Sequence, residues 1–121
     1  MKILVVDDEE HIRTLYKAEL EDEGYEVIIA RNGTSAMELF EMEKPDIVTL
    51  DIIMPDIGGI ELLRRMKGMR PTIPVILCSA WDYRDEFSIW ASEAYIMKSA
   101  DLGDLKIAIK RCREAVEVGH N

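Results

Sequence analysis

The sequence predicts an α/β fold in which a doubly wound, five-stranded parallel sheet is covered by helices on both faces. Three observations predict it. Five apolar runs of strand length, such as Ile3-Leu4-Val5-Val6, lack the apolar-polar alternation of a half-exposed strand, so they read as strands buried on both faces. Between them lie segments of helical periodicity punctuated by Gly, Pro and Asn. A chain of 121 residues, 48% apolar and 32% charged, suits one folded domain spanning residues 1–121 and leaves no room for a second.

Met1 to Val6 is the first strand, and Asp7-Asp8-Glu9-Glu10 then opens a helix with Ile12, Leu15, Tyr16 and Leu20 at helical spacing. Gly24 ends that helix. Tyr25 to Ala30 is the second strand, followed by Asn32-Gly33-Thr34 and a helix carrying Ala36, Met37 and Phe40, which Lys44-Pro45 stops. The third strand, from Asp46, ends in the carboxylate of Asp51, and Met54-Pro55 turns the chain shortly after. Gly58-Gly59 leads into a helix whose expected buried stripe is Ile60, Leu63 and Met66, with Gly68 as its stop. Pro74 to Cys78 is the fourth strand, ending in Ser79-Ala80, and Ala94 to Met97 is the fifth, ending in Lys98. Asp82 to Ser92 between them predicts a shortened or irregular fourth helix. From Gly103, the residues Leu105, Ala108, Ile109, Cys112, Ala115 and Val116 follow the clearest helical pattern in the chain.

In a parallel sheet all strand ends of one kind lie along one edge, where open α/β sheets place their chemistry. Asp7 and Asp8, Asp51, Ser79 and Lys98 each follow a different strand and therefore converge. Each has an ordinary explanation alone: a solvated acidic helix start for Asp7 to Glu10, a turn or cap for Asp51, a cap for Ser79 and a surface charge for Lys98. Together they deliver an acid pair, an acid, a hydroxyl and an amine to one place. Carboxylates gathered at low dielectric repel one another and call for a cation. Mg²⁺ suits this oxygen set, which keeps room for water and phosphate oxygen and has no His or Cys beside it. Asp51 can then act as nucleophile toward phosphorus, with Lys98 and Ser79 as positive and donor partners for the transferring group.

With fifteen basic and twenty-four acidic residues, the net charge of −9 gives no electrostatic footprint for nucleic acid or an anionic membrane. No apolar run approaches a membrane span, and Asp7 to Glu10 interrupt any signal-peptide core, so a cytoplasmic protein is expected. Cys78 and Cys112 sit at apolar positions and read as buried free thiols rather than a disulfide.

The chain resembles a response-regulator receiver domain of two-component signalling over essentially its whole length. The resemblance is carried by Val5-Val6-Asp7-Asp8-Glu9, Asp51-Ile52-Ile53-Met54-Pro55 with Gly59, Ser79-Ala80, Tyr95 and Lys98, in that order. It implies a flavodoxin-like (βα)5 topology with strand order 2-1-3-4-5 and phosphorylation of Asp51. It also implies Asp8 as the main Mg²⁺ carboxylate, Asp7 supporting it through water, and the carbonyl of Ile53 as a further metal ligand. Ser79 and Lys98 would bind the phosphoryl oxygens, and Tyr95 would follow Ser79 inward as the switch. The implied partners are a sensor histidine kinase or histidine phosphotransferase upstream and a separate effector protein downstream, with a phosphorylation-dependent homodimer as one mode of activation. The protein would catalyse its own phosphoryl transfer without being a turnover enzyme.

Three features depart from the family pattern. Ser99 follows Lys98 where the family has Pro, and a non-proline cis bond costs about 2.5–4 kcal/mol, so Lys98-Ser99 is expected to be trans. The short spacing between Ser79 and Tyr95 carries Trp81, Tyr83, Phe87 and Trp90, which either refill core space or form an exposed aromatic patch. Ile53 and Trp81 flank the expected approach of water; both are bulky and apolar, which predicts slow self-dephosphorylation.

Among rival functions, an aspartyl-nucleophile phosphatase resembling the haloacid-dehalogenase family needs a second Asp two residues after Asp51, where Ile53 stands. A flavin binder needs a hydroxyl- and glycine-rich loop after the first strand, where this chain has four carboxylates. The alternative that stays open is a pseudo-receiver, an interaction module of the same fold that is not regulated by phosphorylation. His11, beside the acidic loop, reads as a solvent- or kinase-facing residue, and His120 as part of a frayed tail.

Overall fold

A computed structural model of the protein describes residues 1–80, 92–98 and 102–118. The elements are β1 (Lys2–Val6), α1 (Glu10–Asp22), β2 (Glu26–Ala30), α2 (Gly33–Glu43), β3 (Ile47–Asp51), α3 (Gly59–Met69), β4 (Val75–Ser79), β5 (Ala94–Met97) and α4 (Gly103–Val118). The fourth helical segment expected between Ser79 and Tyr95, its four aromatic residues and the Lys98-Ser99 bond lie outside the described residues. The strands form one sheet in the order β2-β1-β3-β4-β5, with every neighbouring pair parallel. This is the flavodoxin-like (βα)5 order. Among the described residues no helix is long and apolar enough to cross a membrane.

The absence of alternation in the apolar runs has the expected meaning. β3 and β4 are buried at every position, and β1 at all but its first, whereas the edge strands β2 and β5 are partly exposed. Successive side chains point to opposite faces, so the sheet separates two cores. Leu4, Val6, Val48, Leu50, Val75 and Leu77 pack with Phe40 of α2 and Leu62, Leu63 and Met66 of α3. Ile3, Val5, Ile47, Ile76 and Cys78 pack with Tyr16 and Leu20 of α1 and Leu105, Ile109 and Cys112 of α4. Both cysteines are free and buried, as expected from their apolar settings.

The helix ends show which punctuation the chain uses. Gly24, at φ 93°, reverses the chain after α1, and Lys44 takes the left-handed conformation at φ 48° before Pro45. Gly68 does not stop α3: it lies within the last turn, the helix runs to Met69, and Arg70 caps it by donating its backbone N–H to Met66. Two burial expectations also shift. Leu62 joins Leu63 and Met66 in the buried stripe while Ile60 is only half-buried, and Leu15 is exposed because α1 turns Tyr16 and Leu20 toward the sheet instead.

Candidate functional site

The carboxyl edge of the sheet gathers the acids. Asp7 extends the β1–β2 ladder by one bond, its N–H donating to the Ala30 carbonyl at 3.1 Å. Its Oδ1 accepts the Glu9 N–H at 3.0 Å, a local turn that directs the chain into α1. The Asp7 carbonyl accepts the Arg13 guanidinium at 2.8 Å, so the first helix braces the loop that carries the acid pair. Asp7 is buried and Asp8 is exposed. Asp51, at the tip of β3, is 5% exposed, and its Oδ1 accepts the Ile53 N–H at 3.3 Å. Oxygens of Asp7, Asp8 and Asp51 lie within 4.8 Å of one another.

Lys98 arrives from β5. Its backbone N–H donates to the Ser79 carbonyl at 2.7 Å, one step beyond the Ser79–Met97 pair, which fixes where the side chain starts. The ammonium then lies 2.7 Å from Asp7 Oδ2, 3.0 Å from Asp51 Oδ2 and 3.7 Å from Glu9 Oε1. Burial raises the Asp51 carboxyl to about 6, with the Asp7 charge adding and the Lys98 hydrogen bond opposing. Burial pulls the Lys98 ammonium down, but its hydrogen bonds and attraction to Asp7 and Asp51 outweigh that and leave it raised. The site is therefore a set of mutually repelling acids neutralised in part by one internal cation.

Of the residues expected from sequence, Asp7, Asp8, Asp51 and Lys98 come together. Ser79 is fully buried at the end of β4 and reaches Lys98 through its own carbonyl. Ile53 touches Asp51 through its backbone, while its side chain is 52% exposed at the rim. Tyr95 pairs with Leu77 within the sheet and is half-buried against the α2–α3 core. Tyr16 and Cys78 share the core beneath the sheet, and burial holds the Cys78 thiol up at about 12, which makes it inert packing rather than a nucleophile.

Gly59 explains how α3 can start so close to the strand tip. A Cβ there would collide with the Asp51 carbonyl oxygen, so only glycine permits the approach, and the Gly59 N–H donates to the Ile52 carbonyl at 2.9 Å. Arg13, Glu9 and Asp56 were not legible as site residues in the sequence. Glu9 reads as part of an acidic helix start, and Arg13 as one more charge on the helix surface. Asp56, on the loop between β3 and α3, binds the first turn of α2, more than twenty residues away in the chain.

Comparison with known proteins follows the same outline. The family model described as the response regulator receiver domain matches residues 3–110. Sporulation initiation phosphotransferase F of Bacillus subtilis is 35% identical over 113 residues, covering 91% of each chain. The alkaline phosphatase synthesis transcriptional regulatory protein PhoP of the same organism is 43% identical over 81 residues, and the match spans only 34% of that longer protein. Among solved structures, the response regulator TrrA of Thermotoga maritima in complex with Mg²⁺-BeF is 41% identical, covers 92% of this chain and 97% of its own, and superposes with a TM-score of 0.89. The same protein in complex with the histidine kinase ThkA superposes at 0.86 with the same identity and coverage.

Proposed function

The chain belongs to the response regulator receiver domain family of two-component signalling, and on that premise we propose that Asp51 accepts a phosphoryl group from a phosphohistidine of a sensor histidine kinase or a histidine phosphotransferase. Receiver domains are signalling domains rather than turnover enzymes. The observation that carries the reading is the Lys98 ammonium held between Asp7 and Asp51, at the point where β1, β3 and β5 end. A cation so placed both holds the unreacted acids and stands ready for the charge that arrives on Asp51.

In the proposed step an Asp51 carboxylate oxygen forms the bond to phosphorus as the donor's P–N bond breaks. The bonding pair leaves with the imidazole nitrogen, which takes a proton, and the product is an acyl phosphate. Asp51 is ionised above pH about 6 and so is a competent nucleophile in the neutral range. Lys98 then exchanges its carboxylate partners for phosphoryl oxygens, and the Ser79 hydroxyl supplies a second donor. The new charge draws Ser79 and Lys98 toward Asp51, and Tyr95 moves inward behind them, which alters the surface offered to a separate effector protein.

Three carboxylates with oxygens this close, one of them exposed, fit a hard divalent cation. Asp8 would be the main Mg²⁺ ligand, with Asp7 supporting through water and Asp51 and the Ile53 carbonyl completing the protein's share. When bound, Mg²⁺ would offset the carboxylate repulsion and part of the charge on the transferring group. The Mg²⁺-BeF and histidine-kinase complexes of the Thermotoga relative support this reading. The apolar, exposed side chain of Ile53 has no group to orient water, which supports a slow loss of the phosphoryl group.

Incubation with phosphoramidate and Mg²⁺ followed by intact-mass analysis tests the reading. Wild type gains one phosphoryl group and Asp51→Ala gains none. Equal gain by both proteins would refute Asp51 as the acceptor, and no gain by wild type would favour the pseudo-receiver.

A further inference from the structure

Residues 52–58 join β3 to α3 without regular structure, and this loop carries the Ile53 carbonyl proposed as a metal ligand. Near the strand tip it is anchored by the Ile53 N–H on Asp51 and the Gly59 N–H on Ile52. Its far side needs another anchor, and the candidate is Asp56. The first turn of a helix leaves N–H groups without intrahelical acceptors. In α2, Asn32 Oδ1 accepts the Ser35 N–H at 2.8 Å, the ordinary cap. The Gly33 and Thr34 N–H groups go instead to Asp56 Oδ1 and Oδ2, at 2.8 and 2.9 Å, and the Thr34 hydroxyl donates to Oδ2 at 2.8 Å. The Ile57 N–H closes the set at 2.7 Å.

The positive end of the α2 dipole favours a carboxylate at this place. The backbone donors of Gly33 and Thr34, with the Thr34 hydroxyl and Ile57 N–H, hold the Asp56 carboxyl well below the usual carboxylate range, so it stays charged across the working pH. Steric fit agrees with charge. A Cβ on Gly33 would meet Ile57 Cβ at 2.6 Å, so α2 and the loop touch at a spacing that only glycine allows.

We propose that Asp56 is a positioning residue, docking the β3–α3 loop onto the N-terminus of α2 so that the Ile53 carbonyl is held at the metal site before Mg²⁺ arrives. The proposal rests on the receiver reading of the site. Asn32 provides its control: both residues cap the same helix, but only Asp56 comes from the loop that carries Ile53.

Isothermal titration with Mg²⁺ alone, together with thermal melting, separates the two roles. Asp56→Ala is expected to weaken Mg²⁺ binding about tenfold, the lower end of what outer-shell partners of metal ligands contribute. Asp56→Asn, which keeps an acceptor oxygen, recovers part of the loss, whereas Asn32→Ala lowers the melting temperature and leaves Mg²⁺ affinity unchanged. Should Asp56→Ala fail to fold, Asp56→Asn and Thr34→Val carry the same comparison with smaller losses. An unshifted Mg²⁺ affinity in the folded Asp56 variants, or an equal loss in Asn32→Ala, overturns the proposal. A wild type that binds no Mg²⁺ overturns the reading of the site and the proposal with it.

Discussion

Asp51 and Asp56 lie on one short stretch of chain, yet their surroundings push them in opposite directions. Asp51 ends a buried strand beside a second buried acid, and burial with the Asp7 charge raises its carboxyl to about 6 despite the Lys98 hydrogen bond. Asp56 stands on an exposed loop with the donors of Gly33, Thr34 and Ile57 around it, and its carboxyl is lowered. The difference teaches that exposure and donor number act together: an exposed carboxylate given several N–H groups becomes a fastener, and a buried one beside another acid, with only Lys98 and the Ile53 N–H to offset it, stays reactive. A reacting group is expected on the side of the comparison where charge is left uncompensated.

Removing the shared cation should break that contrast most severely. Lys98→Ala is expected to slow phosphoramidate labelling of Asp51 about a hundredfold, the loss typical when a preorganised charge partner is deleted. Timed intact-mass spectra would check it, and a rate within twofold of wild type would remove Lys98 from the mechanism.

Stability gives the next largest effect. With its folded pKa above its unfolded one, Asp51 binds more protons in the folded than in the unfolded state between pH about 4 and about 6. The slope is therefore negative: without metal, stability falls as pH rises through that window, and the cost is fully present above it. Asp51→Asn should raise the Mg²⁺-free melting temperature by about 5 °C at pH 7.5 and change it little near pH 4, since the shift corresponds to a cost of at most about 3 kcal/mol and solvent reaching the site reduces it to about half of that. Mg²⁺ should narrow the gap, because binding to the folded state stabilises wild type more than the variant. Calorimetric melts at the two pH values, each with and without Mg²⁺, would measure all of this.

The smallest effect sharpens the rim rather than the centre. Replacing the exposed apolar side chain of Ile53 with Asn gives the site a group able to orient water, and the phosphorylated protein should then decay several-fold faster. Chemical loading, removal of the donor and a timed decay would show it. An unchanged lifetime would mean that access of water is set elsewhere.

Much of the fold was legible in the sequence because burial on both faces leaves an unmistakable mark: β1, β3 and β4 have no polar alternation to confuse them. The central site was legible for a related reason. Asp7, Asp51, Ser79 and Lys98 each sit where an apolar run stops, and parallel topology alone brings such stops together. Other features were not legible because they depend on which neighbour a residue reaches. Leu15 matches the helical period of α1 yet faces out, and Gly68 resembles a stop but is bypassed by one more residue of α3. Asp56 is part of a turn in sequence, and its partners at Gly33 and Thr34 are set by the sheet order that places the α2 start beside the β3 loop. Gly33 against Ile57 is the same story told in steric terms. The one available signal was that α2 begins with more donors than Asn32 alone can satisfy.

The most direct test of Asp51 as acceptor is to locate the acyl phosphate itself. Phosphorylated protein reduced with borohydride converts the acylated aspartate to homoserine, and peptide mass spectrometry then reads its position. Homoserine at position 51 alone is the predicted result; homoserine at Asp7 or Asp8 with position 51 unmodified would contradict it.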